Sequence, residues 1–330
     1  MTARAWAELL RVSALFTVPG DALAGAAAVG RRPNRSTALA VGASLCLYEA
    51  GMALNDWADR EEDAVDRPHR PIPSGRITPR AALTAAGALT AAGLALAARA
   101  GRPALTVATG LAATVWAYDL RLKHTPAGPA AMAAARGLDL LLGATATATA
   151  PATAPATTTA SASPTETATV AATAPTTTKA PAPSPRSAVP AALPAAALLT
   201  AHTYAVTAVS RHEAQGGSTT APLAALTAVT ALGGAVVRDL PGETKRTSAP
   251  ARLLVTALTG AYLRTAGRPL VHAALNPSPP LTQRAVGGGI RAMIPLQAAL
   301  AARAGASGTA LAVMGLVPLA RSLARKVSPT

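Results

Sequence analysis

Residues 37–63 read TALAVGASLCLYEAGMALNDWADREED, an apolar run that passes directly into a cluster of acids. The apolar part has about the 20 residues that a helix needs to cross the hydrocarbon core of a bilayer. On a helix, Asp56, Asp59 and Asp63 stand at offsets zero, three and seven, so their carboxylates are expected to project from one face. A charge at the bilayer centre costs about 3 kcal/mol, so acids placed here must face water or cations. The stretch therefore predicts a membrane helix that ends in a cation-binding site.

Further apolar runs of similar length are spread along the chain. They lie near 9–30, 80–99, 103–120, 128–147, 189–210, 219–237, 251–274, 284–303 and 308–325. Thr78 and Pro79 supply an N-cap and a first-turn proline for the third run. Short loops between runs imply antiparallel neighbours in one bundle. Residues 1–330 are therefore predicted to form a single all-α domain, a polytopic membrane helical bundle of about nine transmembrane helices.

Composition agrees with a membrane protein. Half of the residues are hydrophobic and only 14% are charged, whereas a soluble domain carries about 25% charged residues. The net charge of +15 does not indicate nucleic-acid binding, because the basic residues stand in short loops without interleaved aromatics. Cys46 is the only cysteine, which excludes an internal disulfide and a cysteine metal site. The first apolar run lacks a signal-peptide pattern and is expected to be a retained helix.

The segment 145–187 interrupts the series of apolar runs. It consists almost entirely of Ala, Thr, Pro and Ser. Repeated prolines prevent a long helix, and this composition cannot bury a core. We expect a disordered insert between helices 5 and 6, on the extracytoplasmic side by helix parity.

Arginine placement predicts the orientation of the bundle. The loop after the second run is the densest, with Arg60, Arg67, Arg70, Arg76 and Arg80. Loops rich in Lys and Arg face the cytoplasm. The arginines at 31, 32 and 35 depart from this rule, because they would then lie outside. The sequence predicts a multi-pass protein of the cell membrane with its active site on the cytoplasmic side.

The residue types of the acid-rich stretch suit magnesium and phosphate. Clustered carboxylates without nearby Cys or His favour a hard divalent cation, and Mg²⁺ commonly combines one or two carboxylates with substrate phosphates. Residues 66–77, DRPHRPIPSGRI, follow as a stiff turn with several arginines. Arginine makes bidentate contacts to phosphate oxygens. A charged loop that binds no ligand is the alternative.

Together, residues 55–63 and the segment Arg70-Pro71-Ile72-Pro73-Ser74-Gly75 resemble the first signature of the UbiA superfamily of intramembrane prenyltransferases. Tyr118 and Lys123 resemble a second segment of that family, in which the lysine binds diphosphate. Arg136-Gly137 resembles the start of its fifth helix. The resemblance implies a Mg²⁺-dependent transfer of an isoprenoid group from a prenyl diphosphate to a lipophilic or aromatic acceptor, within membrane lipid.

The resemblance also implies roles for individual residues. Catalysis is expected from Asp56, Asp59, Asp63 and Lys123, and substrate binding from Asn55, Arg67, Arg70, Tyr118 and Arg136. Asp21 joins the substrate-binding set because an acid inside a membrane helix is a functional candidate by default. Pairing with a buried arginine is the alternative for Asp21.

The second acidic motif of the family is reduced in this chain. One acid, Glu213, stands in the expected place, and Gly217 occupies the position four residues on, where a continuing helix would carry the second acid. We expect Glu213 to be a metal ligand together with Asp56, Asp59 and Asp63. Asp239 and Glu243 are a competing pair with the right spacing, but helix counting places them on the opposite side. The reduced motif resembles the EboC-like branch of the superfamily.

The sequence also bears on two other classes of function. The reduced second motif leaves open a non-catalytic relative that transports or handles a lipid-linked intermediate. A phosphatidyl-alcohol transferase requires an Asp-Gly-x-x-Ala-Arg run, which does not occur here.

Overall fold

The computed structural model describes residues 2–149, 185–213, 216–238 and 249–327, and all regular structure within them is helical. Twelve α-helices follow in chain order. They are α1 Ala3–Leu9, α2 Val18–Ala28, α3 Arg35–Ala58, α4 Arg60–Asp66, α5 Pro79–Ala100, α6 Arg102–Ala117, α7 Gly128–Thr149, α8 Pro185–Ser210, α9 Thr220–Val237, α10 Ala249–Leu275, α11 Pro279–Arg303 and α12 Ser307–Val327. A 3₁₀ segment, Val12–Thr17, precedes α2, and a π-helical turn, Tyr118–Leu122, follows α6.

The helical membrane bundle predicted from the sequence is confirmed. Among the described residues, five helices are long and apolar enough to cross a membrane. They correspond to α3, α5, most of α8, α9 and α11. The remaining runs also form helices, but the count of about nine spans stays a prediction. The start of α5 is as expected, since the Thr78 side chain accepts a hydrogen bond from the Ala81 amide and Pro79 opens the helix.

The prediction of one helix over residues 9–30 was wrong. The backbone of Arg11 is left-handed, with φ of 48°, and ends α1. Pro19 then sits in the first turn of a new helix, α2. At 11 residues, α2 is about 16 Å long, roughly half the thickness of a hydrocarbon core. The first apolar run is therefore divided between a short N-terminal helix and a half-length buried helix.

Small residues allow the central helices to approach closely. A Cβ atom on Gly25 of α2 would overlap the Leu140 carbonyl of α7, and one on Gly143 of α7 would overlap the Ala22 backbone of α2. The large alanine content serves the same purpose, because backbones without bulky side chains pack tightly in membrane bundles. The α2–α7 crossing is thus fixed by glycine on both sides.

The predicted boundary of the insert is also corrected. Residues 145–149 are helical, and the hydroxyls of Thr145 and Thr147 donate back to carbonyls of their own helix. The Thr147 hydroxyl also lies 2.8 Å from that of Thr37, in the first turn of α3. α8 begins at Pro185 rather than 189. Residues 150–184 of the predicted disordered insert lie outside the described residues.

Several helix ends meet on one side of the bundle, here called the site face. The Arg211 guanidinium, just beyond α8, donates to the Thr125 carbonyl between α6 and α7 at 3.2 Å. The Gly217 amide donates to the Pro277 carbonyl between α10 and α11 at 2.7 Å. The acid-rich end of α3 lies on the same side, because Asp59 contacts Lys123.

All three tryptophans of the chain gather near this face. Trp6, Trp57 and Trp116 pack around a small core that includes Leu9, Leu54 and Ile77. The Arg60 guanidinium carbon lies 4.9 Å from the centre of the Trp57 ring. Arg76, in the loop before α5, also donates two hydrogen bonds to Glu8 of α1.

Candidate functional site

Two acids of the first motif share one arginine. Asp56 is in the last turn of α3 and Asp63 is in α4, and their side chains are 6% and 3% exposed. The Arg70 Nη1 atom lies 2.7 Å from Asp63 Oδ2 and 3.4 Å from Asp56 Oδ1. Arg67 approaches the other Asp63 oxygen at 3.4 Å. The predicted neighbourhood of acids and arginines therefore exists, and its carboxylates are neutralised by guanidinium groups.

The third acid contacts a different cation. α3 ends at Asp59, where the backbone leaves the helix before α4 begins, so the three acids do not continue on one unbroken helix. The Asp59 carboxylate contacts Lys123 Nζ, which is buried. This contact leaves the other donors of the ammonium group for a ligand.

The π-helical turn brings two further groups to Asp59. Tyr118 is half-buried in that turn, and the Lys123 amide closes it on the Tyr118 carbonyl at 3.0 Å. Asp119 is buried and accepts a hydrogen bond of 3.1 Å from Asn55. Such turns with an extra residue are frequent at functional sites. Asn55 thus supports the site through Asp119, an acid to which the sequence analysis gave no role.

A cavity of about 350 Å³ opens beside these groups. Its polar wall includes Asp59, Glu62, Asp119, Lys123 and His124. In the part of the chain that the structure describes, one group of acids and histidines could hold a metal jointly. It consists of Asp59, Glu62 and His124, with ligand atoms within 4.8 Å of one another. Carboxylate oxygens next to an ammonium group suit Mg²⁺ with a bound diphosphate, so the residues fit the expected ion.

Arg11 was missed by the sequence analysis. Its Nη2 atom lies 3.0 Å from Asp56 Oδ1 and 3.4 Å from Asn55 Oδ1. Left-handed backbone at a non-glycine residue costs of order 1 kcal/mol and persists where the surroundings hold it. The only sequence signal was an arginine near the start of the first apolar run, and nothing local pairs it with an acid 45 positions away.

Glu213 lies on the site face, as predicted for the second motif. It is half-buried three residues beyond the end of α8. Burial raises the pKa of its carboxyl group, and the positive charge of Arg67 opposes that rise. Gly217 does not continue the helix, since α8 ends at Ser210 and φ of Gly217 is +80°. The expectation that an acid at position 217 would share a helix face with Glu213 was wrong. Asp239 and Glu243 lie outside the described residues.

Asp21 and Arg136 form a separate buried pair. Arg136 Nη1 lies 2.6 Å from Asp21 Oδ2, and the side chains are 14% and 0% exposed. Gln297 of α11 donates to the other Asp21 oxygen at 2.7 Å. The ion pair joins α2 to α7, and the Gln297 hydrogen bond joins α11 to α2. Pairing with a buried arginine was the alternative that the sequence left open for Asp21. Neither residue lines the cavity beside Asp59.

These features define the protein as a helical membrane protein with a carboxylate-rich, cation-lined site at one end of its bundle. The model of the UbiA prenyltransferase family matches residues 13–238, well over half of the chain. The chain belongs to the UbiA prenyltransferase family. Its assignment to the EboC-like branch stays a prediction.

Curated relatives and solved structures agree with this family. The digeranylgeranylglyceryl phosphate synthase of Methanopyrus kandleri is 37% identical over 128 residues, covering 37% of this chain and 45% of the relative. That of Methanothrix thermoacetophila is 42% identical over 109 residues, covering 33% and 41%. These matches span about half or less of the relatives' length. A UbiA homolog from Archaeoglobus fulgidus bound to GPP and Mg²⁺ superposes with a TM-score of 0.56 at 19% identity, covering 94% of this chain and 99% of that one. A digeranylgeranylglyceryl phosphate synthase structure gives a TM-score of 0.59 at 16% identity, covering 91% and 97%.

Proposed function

We propose that this protein is a Mg²⁺-dependent membrane prenyltransferase that moves an isoprenoid group from a prenyl diphosphate to a lipophilic acceptor. The observation that carries the proposal is the meeting of Asp56, Asp59 and Asp63 with Arg70 and Lys123 on one face of the bundle. Membership of the UbiA family supports it. The solved homolog that binds GPP and Mg²⁺ supports the choice of donor and ion.

Each group has a defined task in this proposal. Asp59, which belongs to the group that could hold a metal jointly, would hold Mg²⁺. Asp56, Asp63 and Glu213, which lie outside that group, would be further ligands. Bound Mg²⁺ would supply neutralisation of the charge that develops on the diphosphate. The basic residues that bind diphosphate oxygens are Arg67, Arg70 and Lys123.

The remaining residues position these groups. Asn55 holds Asp119 by the 3.1 Å hydrogen bond. Tyr118 stands in the π-helical turn beside it. Arg11 neutralises Asp56. Substrate binding by Asp21 and Arg136 stays a prediction, and we assign their ion pair to holding α2 against α7.

The reaction requires charge stabilisation more than covalent chemistry. The bond between C1 of the prenyl group and the diphosphate oxygen breaks, and both electrons leave on the diphosphate. The nucleophilic atom of the acceptor forms a bond to the allylic carbon and loses its proton. Cationic side chains that are fixed before the reaction stabilise the leaving group without reorganisation.

For the acceptor, a lipid-linked glyceryl phosphate is the first candidate to test. The curated relatives carry the name digeranylgeranylglyceryl phosphate synthase, which favours a glyceryl phosphate over an aromatic ring. An aromatic acceptor is the second candidate. The five-arginine loop supports a cell-membrane protein with this site on the cytoplasmic side.

A labelled-donor assay with matched aspartate variants tests the proposal. Purified protein in lipid nanodiscs is incubated with radiolabelled prenyl diphosphates, Mg²⁺ and each acceptor class. Asp59→Asn and Asp63→Asn should abolish transfer, whereas Asp66→Asn, at an exposed aspartate of α4, should leave it unchanged. If the wild-type protein binds the donor but transfers no prenyl group to any acceptor class, the non-catalytic carrier is favoured instead.

A further inference from the structure

A second cavity lies in the cleft between α10 and α11, away from the acids of the first motif. Its volume is about 400 Å³. The lining residues are Arg264, Thr265, Arg268, Pro269, His272, Leu281, Arg284 and Arg291. Four arginines and one histidine thus line a single cleft, and none of them lines the cavity beside Asp59. We call it the arginine cleft.

The arginine cleft has no acidic partners in the surrounding helices. Residues 249–303 contain no Asp or Glu, and neither do the sequences of α8, α9 and α12. Asp21 of α2 is the acid on the elements that pack against α11, and its carboxylate is held by Arg136 and Gln297. Within the described residues, the four guanidinium groups make no ion pair. All four arginines are exposed, so their charge is open to an anion from outside the protein.

The positions of Arg268 and Arg284 along their helices place that anion near the membrane surface. Arg268 and Arg264 stand seven and eleven residues before the end of α10, or roughly 10 and 16 Å along its axis. Arg284 and Arg291 stand five and twelve residues after the start of α11, or roughly 8 and 18 Å. Both distances run inward from the α10–α11 turn, which lies on the site face. Charged side chains at such depth are expensive unless they have a partner.

Apolar side chains flank the arginine cleft on the outside of the bundle. Val271 and Leu275 of α10 are 38% and 79% exposed, and Ile290 of α11 is 42% exposed. A ligand for this surface needs an anionic head for the arginines and hydrocarbon for the flanks. A phospholipid supplies both parts in one molecule.

We propose that the arginine cleft binds an anionic membrane phospholipid, with its phosphate on Arg268 and Arg284 and its acyl chains along the exposed apolar residues. Guanidinium groups bind phosphate oxygens by paired, charge-assisted hydrogen bonds. This site is separate from prenyl transfer and does not depend on it.

Native mass spectrometry of the full-length protein with added lipid tests the proposal. Phosphatidylglycerol, phosphatidylcholine and inorganic phosphate are titrated separately against the wild-type protein and the double variant Arg268→Gln/Arg284→Gln. The control is Arg80→Gln/Arg252→Gln, which removes the same charge from two exposed arginines outside the cleft, one of them on α10. The wild-type protein and the control should retain phosphatidylglycerol over phosphatidylcholine. The cleft variant should lose about tenfold or more of that affinity.

Two results would overturn the assignment. Equal phosphatidylglycerol retention by the cleft variant and the wild-type protein would show that these arginines do not hold the lipid. Displacement of phosphatidylglycerol by millimolar inorganic phosphate would show a general anion site. The variant Arg268→Lys/Arg284→Lys keeps the charge and should recover part of the affinity, which separates loss of binding from loss of folding.

Discussion

Arg70 donates a hydrogen bond of 2.7 Å to Asp63, and the same nitrogen lies 3.4 Å from Asp56 at the end of the preceding helix. One guanidinium group therefore neutralises acids from both α3 and α4. Both carboxylates are almost fully buried, and loss of Arg70 leaves each with one guanidinium partner, Arg11 for Asp56 and Arg67 for Asp63.

Arg70→Gln should raise the KM for prenyl diphosphate by about tenfold or more, because a charge-assisted phosphate contact is lost. Arg70→Lys should recover only part of this, since an ammonium group cannot make a bidentate contact to phosphate. The measurement is steady-state kinetics in nanodiscs with varied donor. Arg80→Gln, in the first turn of α5, is the matched control, and an unchanged KM in Arg70→Gln would contradict the assignment.

Asp119→Asn should lower transfer by roughly tenfold to a hundredfold while the protein stays folded, since a buried negative charge is lost near the bound ion. Asn55 donates to Asp119, so an amide of the same shape still fits. The rate is measured under saturating donor, with size-exclusion chromatography to check folding. If Asp119→Asn is as active as Asp66→Asn, Asp119 has no part in the site.

Two adjacent glycines after α8 should differ in their tolerance of alanine. Gly216 and Gly217 both have left-handed φ, at +64° and +80°. A Cβ on Gly216 would lie 2.7 Å from the Pro277 carbonyl oxygen, whereas a Cβ on Gly217 would meet no other atom within 4 Å. Gly217→Ala should cost about 1 kcal/mol of stability from backbone strain, and Gly216→Ala more.

Thermal unfolding in detergent measures this difference. Equal melting temperatures for the two variants would contradict the close approach at Pro277. Because Gly217 is not helical, Gly217→Asp should show the same strain and no lower requirement for Mg²⁺.

Deletion of residues 150–184 with a short flexible linker should preserve folding and transfer, since their composition cannot build a core. Deletion of 145–184 should be clearly less stable, because it removes Thr147 and its contact with Thr37. Melting temperatures of the two deletions check this directly. A loss of folding in the shorter deletion would show that the insert contributes to the domain.

The sequence predicted the features that depend on neighbouring residues. The start of α5 followed from Thr78 and Pro79, because an N-cap and a first-turn proline act within one turn of the chain. The site residues at 55–63 and 118–123 followed from motif spacing. The structure brings Asp59 and Lys123 into contact, as those motifs require.

Features that depend on distant contacts were not visible in the sequence. Hydropathy continues through residues 9–30, so the sequence showed neither the break at Arg11 nor the contact of Arg11 with Asp56. The role of Asp119 likewise depends on Asn55, 64 positions earlier. Arg11 is one of several arginines that could neutralise a buried acid, and only the structure shows that it pairs with Asp56.

Trp6, Trp57 and Trp116 all lie near the site face, so the intrinsic fluorescence of the protein reports on this region. With three tryptophans and four tyrosines in 330 residues, nearly all of the long-wavelength emission arises beside the acid-rich end of α3. Trp57 also lines the cavity next to Asp59. Titration with a donor or with Mg²⁺ can therefore be followed by intrinsic fluorescence without attaching a dye, and the arginine cleft should stay spectroscopically silent.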